Sequence, residues 1–272
     1  MDVSAGRLSD DEVEKYRHDG FLVPRFRLEG AELAKLQRLT EDLVADNPAE
    51  DGYGAPHLGS GGPLNLKTTT DWMDITTHPA ILDCLEQLIG PDIILWQSTM
   101  FYKIAEKGVA TPWHRDAIFY PITPLETATV WVAVYDSTVE NGCLRIVPGS
   151  HRARQVGDHA DLTGSKAFKG ELREREFDAA SAECIELKAG EMVIFDVFAV
   201  HGGEPNTSRK VRAGYAMRYM PASSFYDHDS TDRRLNVAGG VERRLILVRG
   251  RDRAGNDFTR GDYPNARIPA SA

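Results

Sequence analysis

The chain has 272 residues, 41 acidic against 32 basic, giving a net charge of -9 and an isoelectric point near 5.4, a balance that repels a phosphate backbone and argues against a nucleic-acid partner. Its 42% hydrophobic content and mean hydropathy of -0.37 are those of a soluble globular chain, and no apolar run reaches the roughly 18 residues of a membrane span. The first residues lack a basic start and an apolar stretch, so a cytoplasmic protein is expected, and Cys84, Cys143 and Cys184 are too scattered for a disulfide or zinc framework.

Ser9-Asp10-Asp11-Glu12 has the form of a capping box and predicts a short helix through Tyr16 that stops near Gly20. Phe21 to Val23 then reads as a strand. Leu33, Leu36, Leu39 and Leu43 recur at helical spacing between Ala31 and Val44, as do Ile81, Leu82, Leu85 and Leu88 between Pro79 and Leu88. These helices are expected to pack rather than to carry chemistry. Between them, residues 51–63 are rich in Gly and Pro and are expected to form a mobile loop, a candidate active-site flap.

From Ile93 onward the pattern is β: Ile93 to Tyr102, a strand carrying His114 and Asp116, 127–136, 143–147, 182–188, 191–196, 199–204 and 211–220, with 245–249 as a further candidate. The polar segment from Arg152 to Ala180 interrupts the series and reads as an insertion over the barrel mouth. Arg233, Arg234, Arg243, Arg244 and the arginines at 249–253 read as solvated or salt-bridged surface. Helices first and strands afterwards predict a mainly β fold, a two-sheet barrel with helices flanking one sheet. With no linker or repeat in view, a single domain over 1–272 is expected, its helical part at about 9–90 and its barrel at about 92–250.

The chemistry concentrates at Trp113-His114-Arg115-Asp116. On a strand, alternation puts His114 and Asp116 on one face and Arg115 on the other. Alone, that pair also suits an exposed strand or an ordinary His–Asp hydrogen bond. His201, in His201-Gly202-Gly203, is the best candidate for a third ligand. Two His and one carboxylate hold one face of an octahedral ion and leave the other open, the geometry of non-haem Fe(II) oxygenases. The same set also suits a catalytic zinc.

The surrounding words carry a resemblance. WHRD at 113–116, ENGCLRIVPGSH at 140–151, HGGEPNTS at 201–208, Arg212 eleven residues beyond His201, Arg218-Tyr219, and the opening YRHDGFLV at 16–23 resemble the phytanoyl-CoA dioxygenase-like branch of the Fe(II)/2-oxoglutarate oxygenases. The resemblance runs from about residue 9 to residue 221 and implies a double-stranded β-helix, a jelly-roll or cupin-like barrel.

The resemblance implies Fe(II), 2-oxoglutarate as cosubstrate and O2, with His114, Asp116 and His201 as the metal ligands. The distal carboxylate of 2-oxoglutarate needs a fixed cation, and arginine meets a carboxylate in bidentate fashion; Arg212 is expected to supply it, from the strand after that of His201. Gln97, Thr129 and Trp131 are further cosubstrate contacts by resemblance. Lys103 and Arg218 are expected either to read a substrate anion or to be solvated strand ends. Trp113 and Tyr120, with Phe119, Tyr102 and Trp96, are candidates for an aromatic substrate pocket. His151 is expected to hydrogen-bond its loop, and His18, His57, His78, His159 and His228 to lie on the surface or in loops. Halogenating relatives replace the carboxylate with a small residue, so Asp116 favours hydroxylation of a C–H bond of a small polar or anionic molecule, with release of succinate and CO2. A cupin-like binding protein without turnover and a zinc hydrolase are the rival expectations.

Overall fold

In the computed structural model, which describes residues 6–49, 52–58, 69–161, 170–231 and 243–260, the first third is helical and the remainder is β. Ser9 caps helix α1 (Asp10–Asp19): its side chain accepts from the Glu12 amide, and the Glu12 carboxylate accepts from the Ser9 amide. Gly20 ends the helix at φ 84°, a left-handed conformation that glycine adopts without a Cβ clash. Strand β1 (Phe21–Leu22), α2 (Gly30–Asp46), β2 (Tyr53–Gly54), β3 (His57–Leu58), α3 (Thr69–Thr76) and α4 (Pro79–Ile89) follow.

Next come β4 (Ile93–Lys103), β5 (Thr111–His114), β6 (Ile122–Thr123), β7 (Ala128–Ala133) and β8 (Leu144–Ile146). A hairpin of β9 (His159–Asp161) and β10 (Gly170–Leu172) precedes β11 (Glu183–Ile185), β12 (Met192–Asp196) and β13 (His201–Gly203). The last strands among the described residues are β14 (Arg212–Pro221), β15 (Phe225–Tyr226) and β16 (Ile246–Arg249). No helix among the described residues is long and apolar enough to cross a membrane.

The strands form a double-stranded β-helix. The major antiparallel sheet has the order β1-β12-β7-β14-β4-β16, with β2 and β3 also pairing along β4, and the minor sheet has the order β11-β8-β13-β5. Their inner faces meet: Trp131, Val193, Phe195 and Ala216 of the major sheet pack with Leu144, Ile146 and Ile185 of the minor sheet. The helices cover the outer face of the major sheet, where Leu36, Trp72, Ile81 and Leu85 meet Val130, Val132, Tyr215 and Met217. Burial on both faces explains why β7 and β14 read as nearly continuous apolar runs.

Alternation sorts the side chains. Val130, Val132, Ala213, Tyr215, Met217 and Tyr219 turn to the helices, so Thr129, Trp131, Arg212, Gly214, Ala216 and Arg218 turn inward. Strand β4 achieves the same with a bulge: Arg218 lies opposite Gln97 but Tyr219 lies opposite Leu95, leaving Trp96 as the extra residue. Ile93 and Leu95 pack under the helices before it, Met100 and Tyr102 after it, and Gln97, Thr99, Phe101 and Lys103 are thereby sent inward.

Three expectations change. The Gly-rich stretch is not all loop, since β2 and β3 pair with β4; residues 59–63 lie outside the described residues. The described part of 152–180 packs on the outer face of the minor sheet, Leu172 against Val147 and Val200 and Phe177 against Trp113, because that face presents apolar side chains needing cover. Arg243 is buried, 6.0 Å from the Trp96 ring, rather than on the surface, whereas Arg233 and Arg234 lie outside the described residues.

Candidate metal centre

Antiparallel pairing of β5 with β13 sets His114 opposite His201, with ring centroids 4.2 Å apart. Asp116 is not on the His114 strand as expected: pairing stops at His114, and Asp116 opens a 3-10 turn (Asp116–Phe119). Arg115 between them stays extended at φ -111° and ψ 132°, so alternation still turns the carboxylate to the side of His114. Asp116 Oδ1 lies 3.6 Å from His114 Nε2 and 3.9 Å from His201 Nε2, and one ligand atom from each residue falls within 4.8 Å of the others.

The protonation of this set suits a metal. His114 Nδ1 is 2.8 Å from the Pro112 carbonyl, and His201 Nδ1 is 3.0 Å from the Ala199 carbonyl. A carbonyl only accepts, so each Nδ1 carries a proton and each Nε2, on the Asp116 side, is the nitrogen left for a metal. Burial, aided by the neighbouring His114 and opposed by Asp116, pushes His201 down to about 4, which keeps it neutral at pH 7. Burial alone would raise the Asp116 carboxyl, but its positively charged surroundings, led by the Arg218 guanidinium, outweigh burial and hold it well below the usual carboxylate range. A neutral His201, an ionised Asp116 and the Nε2 of His114 beside them are a donor set that fits a divalent metal.

Next to this set, the inner wall of the major sheet carries the other expected residues. Arg212 is buried, donates from Nε to the Gly142 carbonyl at 3.1 Å, and has its guanidinium carbon 5.6 Å from the Trp131 ring. Burial, opposed by Tyr53 and Cys143, pushes its pKa down to about 10, so it is charged at neutral pH, and among the described residues no carboxylate forms an ion pair with it. Trp131 fits because residue 214 is glycine; a Cβ there would stand 1.8 Å from Trp131 Cζ2. Thr129 donates from Oγ1 to Asp116 Oδ2 at 3.5 Å, and Gln97 Nε2 donates to Thr99 Oγ1 at 3.5 Å.

Lys103 and Arg218 are not solvated strand ends, because both point into the barrel. Lys103 is fully buried and donates from Nζ to the Gly203 and Glu204 carbonyls at 3.3 and 2.5 Å. Arg218 pairs with Asp116 through Nε and donates to the Tyr120 hydroxyl and to Thr99 Oγ1. Tyr120 also packs its ring edge-on to Trp96, centroids 4.4 Å apart. Trp113 is not brought to the site: alternation opposes it to His114, and it packs on Phe177 and under Arg145 outside the minor sheet. Tyr102 likewise faces the helices.

His151 is buried, with Nε2 3.1 Å from the Arg17 carbonyl. His228 lies in a turn, as expected, but is buried there, with Nε2 2.8 Å from the Arg243 carbonyl. His78 caps α4, while the side chain of His57 lies outside the described ones.

Sequence reasoning missed Thr99 and Phe101, which line the same wall; the Phe101 ring is 5.4 Å from the Arg218 guanidinium carbon. Their signal was available, since both share strand parity with Gln97 and Lys103. Tyr53, whose ring is 6.2 Å from Phe101, was also missed, and a Gly-rich stretch gives no sign that one of its residues will pair onto a sheet.

Similarity to known proteins agrees with this geometry. The chain is 33% identical over 123 residues to a phytanoyl-CoA dioxygenase domain-containing protein 1 homolog of Dictyostelium discoideum, a match that covers 43% of each, so the chain spans less than half of that relative's length. It is 26% identical over 237 residues to an ectoine dioxygenase of Bordetella parapertussis, covering 79% of this chain and 76% of that one. Among solved structures it resembles the epimerase SnoN in complex with Fe3+, alpha ketoglutarate and a nogalamycin compound, with 25% identity, a TM-score of 0.62, and coverage of 82% of this chain and 90% of that one. The model of the family described as phytanoyl-CoA dioxygenase (PhyH) matches residues 16–214, well over half of the chain and spanning every proposed metal ligand, and the chain belongs to that family.

Proposed function

We propose that the protein is an Fe(II)- and 2-oxoglutarate-dependent oxygenase, one catalytic domain across the chain, that hydroxylates an unactivated C–H bond of a small molecule. The observation that carries this reading is the pairing of a two-histidine, one-carboxylate set with Arg212, a buried cation without a carboxylate partner among the described residues. His114, Asp116 and His201 would hold a ferrous ion, which when bound would supply the oxidative chemistry that turns 2-oxoglutarate and O2 into succinate and CO2 as the substrate is oxidised.

The chain's own contribution is binding and orientation. Arg212 gives the distal carboxylate of 2-oxoglutarate a bidentate partner, and its Nε bond to Gly142 fixes the plane of the fork. Trp131 supplies a flat wall beside that fork, and Thr129 and Gln97 line the approach. The apolar clusters on either side of this polar strip exclude water from it. On the described inner face, Lys103 is buried against backbone carbonyls and Arg218 is tied to Asp116, which favours a polar over a strongly anionic substrate. A zinc hydrolase would use the same three ligands but has no use for Arg212.

Anaerobic addition of Fe(II) and 2-oxoglutarate tests the reading. The parent protein should develop the weak visible metal-to-ligand charge-transfer band. His114→Ala should lose it, and Arg212→Ala should retain iron while its 2-oxoglutarate Kd rises about 100-fold, the equivalent of ~2.7 kcal/mol. Iron-loaded parent protein without the band sinks the proposal.

A further inference from the structure

Asp116 shows its two oxygens to different neighbours. Oδ1 faces the histidines, 3.6 and 3.9 Å from their Nε2 atoms. Oδ2 faces the major sheet, 3.4 Å from Arg218 Nε and 3.5 Å from Thr129 Oγ1. The two donors are cross-strand partners, Arg218 on β14 opposite Thr129 on β7. These contacts are long for hydrogen bonds, so they act chiefly through charge and direction.

Arg218 has little freedom to move away. Nε also donates to the Tyr120 hydroxyl at 2.5 Å, and Nη1 donates to Thr99 Oγ1 at 3.3 Å. The Phe101 and Tyr120 rings lie 5.4 and 5.9 Å from the guanidinium carbon. These three residues sit on other segments of the fold, so the guanidinium is fixed relative to β4 and the Asp116 turn together.

A carboxylate can give an ion one oxygen or both. The second oxygen would occupy a position that a chelating 2-oxo acid and O2 both need. Resting on the function proposed above, we propose that Arg218, assisted by Thr129, is a positioning residue that anchors Asp116 through Oδ2, so that Asp116 gives a metal Oδ1 alone. This role differs from reading a substrate anion: Nε is shared between the Tyr120 hydroxyl and the ligand residue, and loss of the anchor alters what the metal can accept rather than which substrate binds.

The anchor predicts opposite shifts in two affinities, which a merely structural role does not. In Arg218→Gln, Asp116 is free to chelate, so the Kd for Co(II) alone stays within about threefold of the parent or tightens, while the 2-oxoglutarate Kd of the metal-loaded protein rises about tenfold. Arg218→Lys keeps the charge without the planar fork and should fall between the two. Thr129→Val should raise the 2-oxoglutarate Kd by about twofold to fivefold, and it serves with Arg218→Lys if Arg218→Gln does not fold. Joint weakening of both affinities, no change in either, or full restoration by lysine overturns the proposal. A crystal structure of Co(II)-loaded Arg218→Gln, or of Arg218→Lys, gives an arm independent of cosubstrate: Asp116 bound through both oxygens supports the anchor, and Oδ1-only ligation overturns it. A parent that binds Co(II) but not 2-oxoglutarate would instead defeat the functional reading, leaving that crystallographic arm intact.

Discussion

Gly214 is where the inner wall is least forgiving. A methyl group there would stand 1.8 Å from Trp131 Cζ2 and 1.9 Å from Cε2, against an ordinary carbon–carbon contact of about 3.5 Å, so the indole or the strand must give by roughly 1.7 Å. Neither has room, because β14 lies between β7 and β4 and is buried along its whole length. Overpacking a core usually costs about 1–3 kcal/mol. The displacement here exceeds that of a single added methylene elsewhere in a core, so Gly214→Ala should cost about 3 kcal/mol. In a domain of this size that lowers Tm by ~6–12 °C. Because Trp131 lies 5.6 Å from the Arg212 guanidinium carbon, 2-oxoglutarate affinity should fall about tenfold as well. Trp131→Phe removes the outer ring of the indole and should rescue most of the loss, giving a coupling energy above ~1 kcal/mol in a double-mutant cycle. The assay is thermal melting of the four proteins by circular dichroism, with 2-oxoglutarate titration of the iron-loaded forms. A Gly214→Ala protein that melts within about 1 °C of the parent, or strictly additive costs, would refute the reasoning.

Two further outcomes are expected from groups outside the metal set. Burial, then the charge of Arg212, pushes the Lys103 ammonium down to about 6, against 10.5 for an ordinary lysine. The folded value lies below the unfolded one, so between those limits the unfolded chain holds more proton and stability rises with pH. Lys103→Met should remove that component, lowering the slope of denaturant stability between pH 7 and 9.5 by up to ~1.4 kcal/mol per pH unit. An unchanged slope would mean that this lysine is charged in the fold. Cys84 and Cys143 are buried, with thiols pushed up to about 12 chiefly by burial, whereas Cys184 is exposed on an edge strand. A disulfide reagent at pH 8 should therefore titrate one thiol in the native protein and three in denaturant; two fast native thiols would show that β8 and β11 separate readily.

The sequence was most legible where chemistry is local. Ser9 and Glu12 announce α1 because a capping box is satisfied within one turn. His114 and Asp116 announce a shared side because alternation survives from a strand into the extended residue before a turn. Pairing partners are another matter. That His201 would lie opposite His114, or that Tyr53 would pair onto β4, depends on contacts between distant segments that no spacing encodes. Lys103 and Arg218 misled for a related reason: a cation near the end of an apolar run reads as a solvated terminus, and only the second sheet shows that the end is covered. Trp113 needed only the parity argument already applied to its neighbour. The α3 helix went unread because its apolar residues Trp72, Met73 and Ile75 fall in one short turn-and-a-half, too brief to establish a period.

The extra residue at Trp96 makes β4 a strand with two phases. The half before it keeps time with the helices through Ile93 and Leu95, and the half after it keeps the same time only because one beat has been added. Deleting any single residue from 94 to 98 would cancel that beat. Lys103, Phe101 and Thr99 would then exchange places with Tyr102, Met100 and Ser98, driving a lysine side chain into the helix-facing core and filling the barrel with Met and Tyr. Any loss of length within this strand must therefore be matched by a gain of one residue before Thr99, which makes residues 94–98 the stretch where single-residue deletions should be least tolerated.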